Sequence, residues 1–400
     1  MPAQEKMPLS ATLTEHGITV LLVDDQAIVA AAVKRMLETE ADISFHYCQA
    51  PNEALQKAID VAPTVILQDL VMPDIDGLTL VKFFRAHPRL KNIPLIVLST
   101  REEAATKAEA FALGANDYLV KLPDRIELIA RIRYHSAGYI NLLQRNEAYE
   151  ALLASQQALA SELAMAADYV ISLLPKPITE GPARTGWRYF PSTQLGGDCF
   201  GYHWIDADHF AMYLLDVCGH GVGAALLSVS ALNVLRAQTL RNTNFCIPDQ
   251  VLASLNETFQ MQDHNDLYFT IWYGVYNRNT REIRYASGGH PPALLITDAG
   301  ETSQLMTPNF FIGGMPDSTY VSGAIPLPNG PARLYIFSDG AYEVDRQEGA
   351  MWTLEELQTY LLPHPLDEAA EIDSLYRFLQ EMRGQATLDD DFSMLKVSFD

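Results

Sequence analysis

The sequence predicts three parts: a doubly wound parallel α/β unit, a long helical linker, and an α+β unit rich in strands. Three observations carry this. From Ile18 to about Tyr134, short apolar runs alternate with amphipathic segments. From about His135 to Leu174 the chain favours helix and is poor in glycine. From about Gly181 onward, short strand-like runs are punctuated by glycine and proline. A chain of 400 residues holds two or three domains, at about 100–200 residues each. The expected organisation is a flexible tail over 1–17, an α/β domain over 18–135, a linker over 136–180 and an α+β domain over 181–400.

In the first part the apolar runs are ITVLLV (18–23), ISFHYC (43–48), TVILQ (64–68), PLIVLS (94–99) and NDYLVK (116–121). Each is too short for a helix and rich in β-branched residues or leucine, so each reads as a buried strand. The segments between them, such as AIVAAAVKRMLET, have helical period. The one that ends at Gly114 carries its own C-terminal stop. Five strands alternating with five helices make a doubly wound sheet, whose sites lie beyond the carboxyl ends of the strands.

In the second part a seam with spacing of three and four runs through Leu142, Arg145, Tyr149, Leu152, Gln156, Leu159, Leu163, Ala166, Val170 and Leu173. Such a stripe suits a coiled coil and hence a homodimer, parallel or antiparallel; a single helix packed on its own domain is the plainer reading. Pro175 and Pro177 end the helix. In the third part, strands are expected at 198–205, 209–217, 268–276, 282–287, 293–297, 332–338 and 392–399. Helices are expected at 223–240, 248–261, 354–362 and 366–383.

Composition narrows the function. A formal charge of −22 argues against nucleic acid and against docking on anionic membrane. The four cysteines, Cys48, Cys199, Cys218 and Cys246, are widely spaced, which suits neither a disulfide scaffold nor a thiolate zinc site. No apolar leader and no apolar run of about 18 residues is visible, so the expectation is a soluble cytoplasmic protein without membrane insertion.

Two constellations carry chemistry. Strand one ends in Asp24-Asp25, strand three in Asp69, strand four in Ser99-Thr100 and strand five in Lys121. These carboxyl ends converge on one edge of the sheet, and clustered carboxylates repel unless a cation joins them. Oxygen donors suit Mg²⁺. Asp69 is the candidate nucleophile towards a phosphoryl group, with Lys121 neutralising charge and Ser99 binding a phosphoryl oxygen. Tyr118 is placed to swing towards Ser99. With the string DLVMPDIDG after strand three, this span resembles a response-regulator receiver domain. The resemblance implies a sheet of order 2-1-3-4-5, Mg²⁺ on Asp24, Asp25 and Asp69, and phosphorylation of Asp69 by a cognate histidine kinase. Receivers usually place proline directly after the lysine; here Leu122 intervenes in Lys121-Leu122-Pro123.

The second constellation lies in GGDCFGYHWIDADHFAMYLLDVCGHGVGAALL. A hairpin turning on Ala207 sets Asp198 opposite Asp216, and facing carboxylates ask for a cation. Gly196 and Gly197 before Asp198, and Gly219, His220 and Gly221 after Asp216, leave bare backbone beside the site. The helix beginning near Gly223 turns an anion-binding end towards it. Asp339 and Asp390 sit at two further strand ends. Four aspartates with few histidines describe a site for two hard divalent ions that activate water against phosphorus. His220 is either a general acid or a hydrogen-bonded loop residue. His290, the cysteines beside the aspartates, and Tyr268, Phe269, Trp272, Tyr273 and Tyr276 read as packing.

In order, GGD, D-V-x-G-H-G, GGHPPALL, FSDGAYE and DDDFSML resemble the SpoIIE-type branch of the metal-dependent serine/threonine protein phosphatases. The resemblance implies a β-sandwich flanked by helices. It also implies two Mn²⁺ or Mg²⁺ on Asp198, Asp216, the Val217 carbonyl, Asp339 and Asp390, with Asp389 and Asp391 as neighbouring alternatives to the last. Substrates would be phosphoserine or phosphothreonine proteins, often STAS-type anti-sigma-factor antagonists. The expected function is a response regulator whose output is a phosphatase. The alternative is a catalytically weak, phosphatase-like module that sequesters a signalling partner under control of the first domain.

Overall fold

The computed structural model describes residues 16–73, 75–100, 103–347, 349–362 and 368–400. The expected tail over 1–17 thus lies outside the described residues, apart from His16 and Gly17, as do residues 366 and 367 of the expected helix 366–383. The described residues pack as two units that divide between Ala158 and Leu159, each with its own hydrophobic core.

The first unit runs β1 (Ile18–Val23), α1 (Ala27–Leu37), β2 (Ile43–Cys48), α2 (Ala54–Val61), β3 (Val65–Asp69), α3 (Gly77–Ala86), β4 (Leu95–Ser99), α4 (Ala104–Ala112), β5 (Asp117–Val120) and α5 (Arg125–Leu173). The strands form one parallel sheet in the order β2-β1-β3-β4-β5. All five residues of β3 and of β4 are buried, as strands covered on both faces require. Gly114, at φ +105°, follows the end of α4, where a side chain would be strained.

Helix α5 is the main surprise of this unit. It starts eleven residues before the expected linker and continues for 49 residues. The last helix of the α/β unit and the linker are therefore one helix. Asp124 caps it, its Oδ1 accepting from the Ile126 N–H at 2.7 Å. Leu128, Ile132 and Ser136 bury one face near its start, and Ser136 Oγ lies 3.0 Å from the buried Thr64 hydroxyl. Farther along, Tyr149, Leu152 and Leu159 of the apolar seam are 61%, 55% and 58% exposed.

The second unit contains β6 (Ala183–Phe190), β7 (Cys199–Trp204), β8 (His209–Val217), α6 (Val222–Arg236), α7 (Pro248–Thr258), β9 (Phe269–Asn277), β10 (Glu282–Gly288), β11 (Ala293–Thr297), β12 (Thr302–Leu305), β13 (Gly323–Pro326), β14 (Ala332–Phe337), α8 (Leu354–Leu361), α9 (Glu368–Arg383) and β15 (Phe392–Phe399). They form two five-stranded sheets, β13-β10-β9-β8-β7 and β12-β11-β14-β15-β6, and residues of both sheets share one core. Strands β6, β12 and β13 were not expected. Strand β6, ARTGWRYF, has two arginines and a glycine, and pairing with β15 more than two hundred residues away holds it. Strands β12 and β13 have four residues each and lie at sheet edges. Helix α6 stops short of the expected 240, because Gln238 turns into the left-handed region at φ +52°.

Lys396 of β15 lies 2% exposed, with its Nζ 2.7 Å from Oε2 of the fully buried Glu371. The Tyr335 hydroxyl donates to the same carboxylate. Glu371→Ala leaves a buried cation without its carboxylate, so it is expected to destabilise the fold by about 3–5 kcal/mol. Urea unfolding of the full chain checks this; an unchanged midpoint would show that the pair contributes nothing.

Candidate active sites

In the first unit, β1, β3, β4 and β5 deliver Asp24, Asp69, Ser99 and Lys121 to one sheet edge, as expected. Carboxylate oxygens of Asp24, Asp25 and Asp69 lie within 4.8 Å of one another. Lys121 Nζ stands 2.7 Å from Asp24 Oδ2 and 2.8 Å from Asp69 Oδ2. Burial works against the charge of Lys121, but these two carboxylates override it and raise its pKa. Burial is likewise the main reason that the pKa of Asp24 is raised. Three carboxylates against one ammonium leave negative charge uncompensated, and oxygen-only donors so spaced fit Mg²⁺.

The peptide bond between Lys121 and Leu122 is cis, and the lysine reaches both aspartates with Leu122 in the place of the usual proline. Asp76 and Gly77 of the DLVMPDIDG string have structural work. Asp76 caps α3 by accepting from the Thr79 N–H, and a Cβ on Gly77 would collide with the backbone of Asp69 and Leu70. Ser99 is fully buried. It alternates in phase with Leu95 and Val97, so it shares their face of the sheet with Tyr118, which pairs in register with Val97. Tyr118 is packed inward, with Lys107 Nζ 5.3 Å from its ring centre.

In the second unit, Cys199 pairs with Leu215, the register that sets Asp198, just ahead of β7, opposite Asp216. Asp206 closes the hairpin tip, its Oδ1 accepting from the N–H groups of Asp208 and His209. Asp216, Asp339 and Asp390 open onto a cleft of about 410 Å³, with Val217, Gly219 and His220. Ser192, Thr193, Tyr268, Thr270 and Asp389 also line it, and sequence reasoning gave none of the first four a role in a site. Ser192 and Thr193 follow an unexpected strand. Thr270 pairs with Asp216 only through the ladder.

The electrostatics are those of crowded acid. Asp198 is 2% exposed, and burial, then the charges of Asp216 and Asp391, raise its pKa well above the carboxylate range. Hydroxyls of Ser393 and Ser338 lie near it, yet neither of its oxygens makes a hydrogen bond of good geometry. Burial, with Asp339 and Asp390 beside it, pushes Asp216 up to about 7; burial and Asp390 push Asp339 up to about 6. No lysine or arginine lines the cleft among the described residues. Half-buried Asp216 and Asp339 and exposed Asp390, beside the buried Asp198 and with no lysine or arginine among the described residues that line the cleft, fit hard divalent ions.

Of the three adjacent aspartates, Asp389 and Asp390 line the cleft. Asp389 pairs with Arg383, whereas Asp390 presses on Asp216 and Asp339. Asp391 turns inward, accepting from Ser192 and Gly197. His220 is exposed at the cleft, directly before Gly221, the residue ahead of α6. His290 is structural: it is buried, its Nδ1 lies 2.8 Å from Thr270 Oγ1, and burial lowers its pKa to about 3. Cys199 is buried, and Phe269, Trp272, Tyr273 and Tyr276 pack in the core.

Family models agree with this geometry. The one described as response regulator receiver domain matches residues 20–133, and the one described as stage II sporulation protein E (SpoIIE) matches residues 206–400. The chain carries a receiver domain and a SpoIIE-type phosphatase domain. Asp198 lies ahead of the second matched segment, so its place in the site rests on the hairpin register. The phosphoserine phosphatase RsbP of Bacillus subtilis (strain 168) is 28% identical over 186 residues, covering 46% of this chain and 45% of RsbP. The phosphoserine phosphatase RsbU of the same organism is 27% identical over 251 residues, covering 62% of this chain and 72% of RsbU. The chain thus spans less than half the length of RsbP. The SiaA-PP2C domain of Pseudomonas aeruginosa superposes with a TM-score of 0.54 at 19% identity, over 62% of this chain and 99% of that one, and so shares the fold.

The phosphatase-domain carboxyls set a pH dependence. The folded chain keeps protons on Asp216 and Asp339 that the unfolded chain releases, so folding stability falls as pH rises through the ordinary carboxyl range to about 7. In chelator-treated protein, wild type should lose more Tm than Asp216→Asn between about pH 5 and about pH 8, and Mn²⁺ should restore it at the higher pH. Parallel Tm profiles for the two proteins would contradict the crowding.

Proposed function

We propose that this chain is a response regulator in which phosphorylation of Asp69 controls a metal-dependent protein phosphatase acting on phosphoserine or phosphothreonine. The observation that carries the reading is the convergence of Asp216, Asp339 and Asp390 on one cleft, with Asp198 buried opposite Asp216. Substrates in this reading are phosphorylated STAS-type anti-sigma-factor antagonists or similar phosphoproteins. The upstream partner is a cognate histidine kinase.

Two Mn²⁺ or Mg²⁺ ions held by Asp198, Asp216, the Val217 carbonyl, Asp339 and Asp390 would supply an activated water and charge neutralisation at phosphorus. The chain's own groups supply the rest. Helix α6 begins at Val222, two residues past the cleft residue His220, and its first N–H groups would serve an incoming anion. His220, exposed at the cleft, gives a proton to the departing serine or threonine oxygen.

In the receiver, an Asp69 carboxylate oxygen attacks the phosphorus of a phosphohistidine; the O–P bond forms as the N–P bond breaks. Lys121, already against Asp69, balances the added charge, and Ser99 donates to a phosphoryl oxygen. Mg²⁺ on Asp24, Asp25 and Asp69 would complete the neutralisation. A shift of Tyr118, already packed inward on the face it shares with Ser99, then changes that face. The signal passes along α5, whose exposed apolar seam pairs with that of a second copy and resets the elements around 219–240.

Asp216→Asn is expected to abolish Mn²⁺-dependent release of phosphate from a phosphoserine protein, while Asp69→Asn leaves basal release intact. A phosphate-release assay checks both, and wild-type turnover in Asp216→Asn would remove the catalytic reading. Beryllofluoride loading of Asp69 is expected to change turnover and oligomeric state together, measured by the same assay and by light scattering. If neither moves, the coupling is wrong.

A further inference from the structure

We propose that Asp391 is the positioning residue of the phosphatase-domain cage: it sets the loops that carry the metal-binding aspartates while standing outside the cleft. The inference rests on reading that site as a divalent-metal centre.

Asp391 is 5% exposed and does not line the cleft. Its Oδ1 accepts from the Ser192 N–H at 2.8 Å and the Ser192 hydroxyl at 3.0 Å, and its Oδ2 accepts from the Gly197 N–H at 2.7 Å. One carboxylate therefore fixes the loop between β6 and β7, whose last residue is Asp198. The Asp391 carbonyl accepts from the Ser338 hydroxyl at 3.0 Å, next to Asp339. Ser338 Oγ in turn accepts from the Ser393 N–H. The Asp391 N–H donates to Asp390 Oδ1 at 2.8 Å. Through one residue, the segments bearing Asp198, Asp339 and Asp390 are tied to one another.

The glycines of the two flanking motifs agree. A Cβ on Gly196 would overlap the Asp391 carboxylate, and one on Gly340 would overlap its carbonyl. GGD and SDG thus keep glycine where the hub must be approached closely. Three charge-assisted hydrogen bonds onto a buried carboxylate hold a loop more firmly than neutral ones. Groups that orient ligands without touching metal set how tightly and in what geometry the ligands hold it.

The test compares Mn²⁺ binding, read by electron paramagnetic resonance of free Mn²⁺, with phosphate release in full-length wild type, Asp391→Asn and Asp390→Asn. Asp391→Asn puts an amide N–H₂ against donors at Ser192 or Gly197. It should weaken Mn²⁺ binding by about 10–100-fold, with turnover restored at saturating Mn²⁺. Asp390→Asn should lose turnover that added Mn²⁺ does not restore. Wild-type Mn²⁺ affinity in Asp391→Asn would overturn the proposal, as would a turnover loss that saturating metal leaves in place. Should Asp391→Asn fail to fold, Ser192→Ala and Ser338→Ala each remove one hydroxyl from the hub; both should weaken Mn²⁺ binding, and wild-type affinity in both overturns the idea. Weaker Mn²⁺ uptake in Asp391→Asn with no phosphate release by any protein would support the positioning role and refute the phosphatase reading. A wild type that takes up no Mn²⁺ overturns both.

Discussion

The acids of the C-terminal unit answer to one constraint: Asp198, Asp216 and Asp339 are drawn wholly or partly out of water and stand against one another and Asp390, with no lysine or arginine among the described residues that line their cleft. Burial disfavours each charge and neighbouring charges disfavour it further, which is why Asp216 and Asp339 hold protons far above the ordinary carboxyl range. A fold tolerates such an arrangement only if something compensates, and protons or divalent cations are what the cleft can take. The receiver meets the same difficulty with a built-in cation, since Lys121 lies within hydrogen-bond distance of two of its aspartates. An internal ammonium suits a site that must accept and release one phosphoryl group. A cleft without one suits chemistry in which the metal does the neutralising.

The architecture serves that constraint by placing acids where strands end. In the receiver, parallel order puts every carboxyl terminus on one edge, so Asp24, Asp69 and Ser99 meet although they are far apart in sequence. In the phosphatase domain the hairpin of β7 and β8 brings two aspartates face to face, while β14 and β15 run side by side and bring the segments of Asp339 and Asp390 together. Glycines at 196, 197 and 340 let the backbone close in behind the acids, where a side chain would strike Asp391 or the Val217 carbonyl.

How much of this the sequence discloses depends on how local the cause is. Strands β1, β2, β8, β11 and β15 begin and end where their apolar runs do. The opposition of Asp198 and Asp216 was legible because a short hairpin fixes its own register. Strand β6 was not, since its arginines and glycine give little local preference and a distant partner holds it. The start of α5 escaped for a related reason: the chain past Pro123 continues one helix across what composition divides into domain and linker. The three consecutive aspartates could not be told apart by spacing. Only the turn ahead of β15 shows that Asp390 faces the cleft and Asp391 faces the protein. Thr270 and Ser192 gave no signal, because their place follows from neighbours far off in sequence.

The most direct test of the central claim is an anomalous difference map at the manganese edge from crystals of the full chain grown with Mn²⁺. The account predicts two peaks about 3.5–4 Å apart, bounded by Asp216, Asp339 and Asp390. A map with well-ordered aspartates and no anomalous density among them would contradict it.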